Sequence, residues 1–265
     1  MGNLDVDFFQ ENSYTTKSNS RKFIDKLFLN TRIYFVLSYI QQIFVCRRLA
    51  LRGKYDRKAW AISSHNVVKL IEHCGGKFQI EGFDNFRNCN EPVVIVSNHM
   101  SAMESMIFPA LIAPFMETTF VVKASIARHF LFGPVMRARD PIAVERANSR
   151  EDLIYVMKKG KEFLEKGTSV VVFPQGGRRE VFKPEEFNSL GVKLAKSKRV
   201  KVIPMAIKTD FWGNGKLVKD LGPIRRDREI FIKIGEPLEI IGNGKEQNDQ
   251  IIKFIENNIQ KWQTN

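Results

Sequence analysis

The chain has 265 residues, which suits one large domain, or one domain with a modest appendage, and is long enough to bury a full core. Forty-two Lys and Arg against 29 Asp and Glu leave a net charge of +13, which points to an anionic partner: nucleic acid, an anionic membrane surface or a phosphorylated substrate. Cys46, Cys74 and Cys89 are odd in number, widely spaced and outside any CxxC or Cys/His pattern, which argues against a zinc site and for a reducing compartment.

Residues 1–20 are polar and aperiodic and read as a loose tail. The acidic, polar start is not a secretory signal. Met1-Gly2 opens like a myristoylation signal, but Val6 stands where Ser or Thr is required. From Phe23 the chain turns strongly apolar, with Thr31, Ser38, Gln42 and Arg48 as a narrow polar stripe at helical spacing. The charge-free run Ile33–Cys46 is 14 residues, about 21 Å of helix against the ~30 Å of a bilayer's hydrocarbon core. A spanning helix is therefore disfavoured. An interfacial helix flanked by Arg32, Arg47, Arg48 and Arg52 fits better than a spanning one, and a helix docked on the core is the further alternative. A second amphipathic helix is expected over Asp56–Cys74, stopped by Gly75-Gly76. Residues 21–76 thus read as an N-terminal amphipathic hairpin ahead of a domain spanning 77–265.

Beyond Lys77, strands and helices alternate. Strands are expected at Lys77–Glu81, Val93–Ser97, Thr119–Lys123, Ile142–Glu145, Ser169–Phe173, Lys201–Lys208 and Ile230–Ile234. Three of them (from Val93, Ser169 and Lys201) are apolar nearly throughout, as strands covered on both faces are. A helix is expected from Ser149, capped with Asp152 and ending at Gly167, and a last one over Asp249–Trp262. The fold class is α/β: a mostly parallel central sheet flanked by helices.

Four stretches carry chemistry. In Val93–Glu104 a β-branched strand delivers Asn98-His99, with Glu104 five positions on at the start of a helix. A histidine is neutral near pH 7 and takes a proton from an attacking group, while a carboxylate on its other ring nitrogen fixes the tautomer. Ser101-x-x-Glu104 is also a capping box, in which Glu104 bonds only the Ser101 amide; the residues alone leave both readings open. No GxSxG elbow is present, so the base would act on a hydroxyl of the substrate. Phe173-Pro-Gln-Gly-Gly-Arg-Arg-Glu180 breaks an apolar strand into a Gly-Gly turn carrying two guanidiniums, suited to phosphate or simply a solvated basic turn. Ile142–Arg146 ends a strand in an arginine. Val202–Ile207 contains Pro204, which suggests a bulge or a bend facing a ligand. Met106–Phe115 and His129–Met136, rich in Phe, Met and Pro, suit an acyl-chain groove or plain core. His65, His73 and His129 have no partner at useful spacing.

The order of these pieces resembles the 1-acylglycerol-3-phosphate acyltransferases and the wider glycerolipid acyltransferase superfamily, over roughly Phe78 to Leu238. Asn98–Glu104 is similar to the family's NH-x4-D block, Ile142–Arg146 to the block ending in Arg, Phe173–Arg178 to FPEGTR, and Val202–Ile207 to the proline-containing block. The hairpin is similar to the membrane-docking helices of bacterial members. The resemblance implies transfer of a fatty acyl group from acyl-CoA or acyl-carrier protein to the free hydroxyl of a lysophospholipid, most simply 1-acylglycerol-3-phosphate, with no cofactor. It implies His99 as base and Glu104 as its orienting acid. Arg146, Arg178 and the amides of Gly176 and Gly177 would hold the acceptor's phosphate, with Asn98, Gln175 and Arg179 in support. The expected setting is the cytoplasmic face of a membrane, bound peripherally or monotopically to an anionic surface, with no nucleic acid. Departures are Glu at 104 for the commoner Asp, Gln175 for Glu and Gly177 for Thr. The last two leave open another lyso-acceptor, or a lipid-binding protein without catalysis.

Overall fold

The structure, a computed structural model, describes residues 6, 8–215 and 220–264. Eight strands form one sheet: β1 (Ser13–Thr15), β2 (Phe78–Glu81), β3 (Val94–Ser97), β4 (Thr118–Lys123), β5 (Ile142–Val144), β6 (Ser169–Val172), β7 (Val202–Lys208) and β8 (Ile230–Ile234). Their spatial order is β1-β2-β8-β7-β3-β6-β4-β5. The run β7-β3-β6-β4-β5 is parallel throughout; β8 is antiparallel to β7, and β2 pairs parallel with β8. All five parallel strands therefore end at the same edge of the sheet, so the loops that leave them share one rim.

The apolar runs β3, β6 and β7 are buried on both faces, as their composition requires. Their side chains alternate between two layers. Ile95, Val171, Ile203 and Met205 face one core with α2 (Ile33–Leu51), α3 (Arg57–His73) and α5 (Met103–Ile112). Val94, Val96, Val170, Val172 and Val202 face the other, under α8 (Ser149–Glu165), α9 (Leu190–Lys198) and α10 (Lys245–Thr264). Short helices α1 (Phe23–Leu27), α4 (Asp84–Arg87), α6 (Ala124–Arg128) and α7 (Gly133–Arg137) fill the connections.

Four local expectations differ from the structure. The stretch read as a loose tail supplies the edge strand β1, antiparallel to β2, and Phe9 is buried and stacked on Phe83 at 4.7 Å. Buried Glu72 accepts from Tyr14 and Thr16 at 2.6 and 2.7 Å and pins that strand to α3. Residues 1–5 and 7, including the Met1-Gly2 start, lie outside the described residues. The apolar segment after Phe23 is two helices, because Leu29 and Asn30 adopt left-handed backbone (φ 52° and 58°) and turn the chain. The first turn of α8 is capped by Asn148, whose side chain accepts from Arg150 and Glu151, while Asp152 accepts from the Glu145 amide. Pro204 makes no bulge; it pairs with Val96 in register, one residue before the ladder with β8 begins at Met205.

Helix α2 has two apolar faces. Phe35, Tyr39, Ile43 and Cys46 are buried, whereas Ile33, Leu37, Phe44 and Leu51 point the opposite way and are about half exposed or more. Phe23, Leu27 and Leu29 extend that outer surface, beside the exposed cations Lys22, Lys26, Arg32, Arg48 and Arg52. Among the described residues no helix is long and apolar enough to cross a membrane. The hairpin is fastened to the domain by buried Asp25, which pairs with Arg21 at 2.5 Å and with Arg226 at 2.7 Å. Arg226 also donates to the carbonyls of Cys74, Asn30 and Thr31.

Candidate active site

His99 lies two residues beyond the end of β3, where the chain passes into α5. Asn98 is buried and clamps this corner to the neighbouring strand. Its Nδ2 donates to the Ile207 carbonyl at 2.9 Å and its Oδ1 accepts from the Ile207 amide at 3.0 Å. The His99 main chain is held from the other neighbour, β6. Its N–H donates to Gln175 Oε1 at 2.9 Å, and its carbonyl accepts from the Arg179 amide at 2.7 Å. The ring stacks on Phe173 at 4.3 Å.

Glu104 performs both jobs that its spacing allows. Its carboxylate, fully buried at 0% exposure, lies 2.8 Å from His99 Nδ1 through Oε2. Both oxygens accept from the Ser101 amide at 3.0 Å. A third donor has no place in the sequence blocks: Thr209 Oγ1, one residue past β7, hydrogen-bonds Oε1. The carboxylate is thus satisfied on every side, a condition for keeping a charge in the interior. With one ring nitrogen committed to Glu104, the other is free to exchange a proton.

His99 opens onto a cavity of about 490 Å³ whose lining includes Gly176, Gly177, Arg178 and Arg146. These come from the ends of β3, β6 and β5, and Lys123 joins them from the end of β4 and Lys193 from α9. Four cations around one mouth favour an anionic ligand. Gly176 has φ +66°, a conformation that costs side-chain-bearing residues about 1 kcal/mol or more. Arg146 also has left-handed backbone (φ 61°), is exposed and forms no ion pair among the described residues. Arg178 forms an ion pair with Asp220, Nη1 to Oδ1 at 2.7 Å.

The structure separates some residues that the sequence groups together. Arg179 does not line the cavity; its guanidinium turns to Glu186 at 2.5 Å and only its backbone supports His99. Met106–Phe115 is core, with all but Met106 buried, and no residue of it or of His129–Met136 lines the cavity. The apolar wall comes instead from Phe120, Val122, Val144, Leu153, Val172 and Phe173. Met106–Phe115 serves packing against α3 and the sheet, whereas in His129–Met136 only Gly133 is buried and Phe130 is largely exposed. His65 stacks face to face on Phe8 at 4.1 Å, and burial, followed by the nearby Lys69 charge, depresses its pKa to about 4. Thr209 and Asp220 escape a motif search because each lies outside the four blocks. The only sequence signal for Thr209 is its position at the end of a strand paired with β3.

Residues 77–208 match the family model described as Acyltransferase. A 1-acyl-sn-glycerol-3-phosphate acyltransferase of Pseudomonas aeruginosa is 28% identical over 204 residues, covering 76% of this chain and 74% of its own. A probable 1-acyl-sn-glycerol-3-phosphate acyltransferase of Mycoplasma pneumoniae is 29% identical over 150 residues, 54% of each chain. In fold, the chain is similar to the 1-acyl-sn-glycerophosphate (LPA) acyltransferase PlsC of Thermotoga maritima. The TM-score is 0.64 at 17% identity, over 91% of this chain and 97% of that one. With His99 and Glu104 inside the matched segment, the chain belongs to the acyltransferase family of enzymes.

Proposed function

We propose that the protein transfers a fatty acyl group from acyl-CoA or acyl-carrier protein to the free hydroxyl of 1-acylglycerol-3-phosphate, giving phosphatidic acid. The observation that carries this reading is the buried Glu104–His99 pair at 2.8 Å, opening onto a cavity lined by Arg146, Arg178, Lys123 and Lys193. Glu104 holds Nδ1–H, so Nε2 takes the proton from the acceptor's hydroxyl as its oxygen attacks the thioester carbonyl. The imidazolium then gives the proton to the departing thiolate, and the charges balance within one cycle. Arg146 and Arg178, with the amides of Gly176 and Gly177, hold the acceptor's phosphate. A planar guanidinium suits that role because it can offer a phosphate two parallel N–H groups.

The outer face of α1 and α2 docks on an anionic bilayer. Its half-exposed Leu, Ile and Phe side chains supply the hydrophobic energy, and Lys22, Lys26, Arg32, Arg48 and Arg52 select the charge of the surface. Gln175, which departs from the family's Glu, is consistent with catalysis rather than loss of it. Its amide oxygen still accepts the His99 N–H at 2.9 Å, the same bond a carboxylate oxygen would make.

The test is acyl transfer by purified protein with acyl-CoA and lysophosphatidate, before and after His99→Ala. Turnover should fall by roughly 10²–10⁴, the usual weight of a general base, with the fold retained by circular dichroism. Equal acylation by both proteins would remove His99 from the mechanism. Lysolipid binding by the wild type with no diacyl product would replace the enzyme reading with a lipid-binding one.

A further inference from the structure

Asp220 is the carboxylate that meets the cavity's Arg178, at 2.7 Å from Nη1. It belongs to a loop that follows β7 and doubles back on itself. The Gly213 amide donates to the Pro223 carbonyl at 2.9 Å and the Arg225 amide to the Phe211 carbonyl at 2.7 Å, with a bridge between Trp212 and Ile224. The two limbs are so close that a Cβ on Gly222 would lie 1.8 Å from the Gly213 oxygen. Asp220 is also fixed from outside the loop, because the carbonyl of the next residue, Leu221, accepts from Arg32 Nη1 at 2.6 Å. A second pair, Arg225 with Glu180 at 3.6 Å, ties the same loop to the turn that carries Arg178.

The side chain at 175, where a family carboxylate is expected, cannot steer that arginine. Gln175 is neutral and its only acceptor oxygen points to the His99 amide. Arg178 has five N–H donors in a rigid fork. Nη1 approaches Asp220 Oδ1 at 2.7 Å, and the side chain still lines the cavity. Buried Tyr39 on α2 feels the same pair: its hydroxyl is kept protonated first by burial and then by the Asp220 charge, with Arg178 opposing.

We propose that Asp220 is a positioning residue for Arg178: it anchors one corner of the guanidinium and turns the remaining N–H groups to the acceptor's phosphate, in place of a carboxylate at 175. This rests on Arg178 holding that phosphate. The experiment measures steady-state kinetics of the full chain with lysophosphatidate and acyl-CoA in mixed micelles, for Arg178→Ala, Asp220→Asn, Asp220→Glu and the double variant Arg178→Ala/Asp220→Asn.

Asp220→Asn should raise the acceptor KM on the order of tenfold, since part of a charge-assisted contact is lost, with kcat and donor KM within about twofold. Asp220→Glu should restore most of the loss. The double variant should be no worse than Arg178→Ala alone, because both changes remove the same interaction. A merely structural role would lower kcat, acceptor and donor parameters together, and that result overturns the proposal. An acceptor KM that is unchanged or lower in Asp220→Asn also overturns it; a lower value would make Asp220 a competitor for the phosphate's place. If Arg178→Ala itself leaves the acceptor KM unchanged, the phosphate role of Arg178 falls, and the Asp220 assignment with it. A raised KM in Arg178→Ala beside an unchanged one in Asp220→Asn overturns the Asp220 assignment alone.

Discussion

Thr209→Val isolates one hydroxyl in the charge network under the candidate base. Valine keeps the shape of threonine, so the change opens no cavity; it removes the donor to Glu104 Oε1 and the acceptor of a 3.5 Å contact from Ser101 Oγ. The carboxylate retains the Ser101 amide at 3.0 Å and His99 Nδ1 at 2.8 Å, but it is fully buried and water cannot replace what is lost. A hydrogen bond to a charged group is worth about 1.5–3 kcal/mol. In a chain of this size each kcal/mol moves Tm by about 2–4 °C, so the variant should melt roughly 3–12 °C lower. With Oε1 left to the Ser101 amide and hydroxyl at 3.0 and 3.3 Å, the carboxylate is held less firmly against the imidazole, and kcat should fall on the order of tenfold, less than the loss expected for removing the base itself. Differential scanning calorimetry and acyl-transfer kinetics on Thr209→Val and Thr209→Ser provide the comparison, with serine keeping the donor. A valine variant within about 1 °C and about twofold of wild type would refute the reasoning, as would a serine variant damaged to the same degree.

Two further outcomes follow from groups described above. His65 has a folded pKa of about 4 against 6.5 for the free imidazole, so between those values the unfolded chain binds more protons than the native one. Its contribution to stability is therefore complete above pH 6.5 and is lost as pH falls towards 4. Thermal melts across that window should show a shallower decline for His65→Phe, which keeps an aromatic ring against Phe8; an unchanged slope would refute the assignment. Leu37→Glu/Phe44→Glu should abolish co-sedimentation with anionic vesicles at unchanged Tm, since each side chain is more than half exposed on the outer face of α2. The lost burial, roughly 1.5–3 kcal/mol for two half-exposed side chains, is about 10–160-fold in partitioning. Undiminished vesicle binding would move the docking surface elsewhere.

The parts of the fold that the sequence discloses are those whose chemistry is local. Val94–Ser97, Ser169–Val172 and Val202–Lys208 announce themselves because strands buried on both faces must be apolar at every position. Asp56 and Gly75-Gly76 bracket the second helix for the same reason, as cap and stop. By contrast, β1 is three residues at a sheet edge, and its identity depends on Phe9 finding Phe83 and on Tyr14 finding Glu72, contacts more than 50 positions apart. The turn at Leu29-Asn30 is hidden inside an apolar run where no glycine marks it. At the candidate site, His99, Arg146 and Arg178 are visible because each sits beside a strand end. Thr209 and Asp220 become partners of Glu104 and Arg178 only once topology sets β7 next to β3 and folds the following loop back across the rim.

Asp25 also sets how the molecule can move. A carboxylate sealed between Arg21 and Arg226 cannot be left behind without exposing an uncompensated charge to the interior, a loss of about 3–5 kcal/mol. Asp25 thereby ties α1 to the loop that follows β7 and, through Arg226, to the end of α3 at Cys74. In the proposed docking mode, that ion-pair anchor ties the bilayer-facing surface to the domain that carries His99.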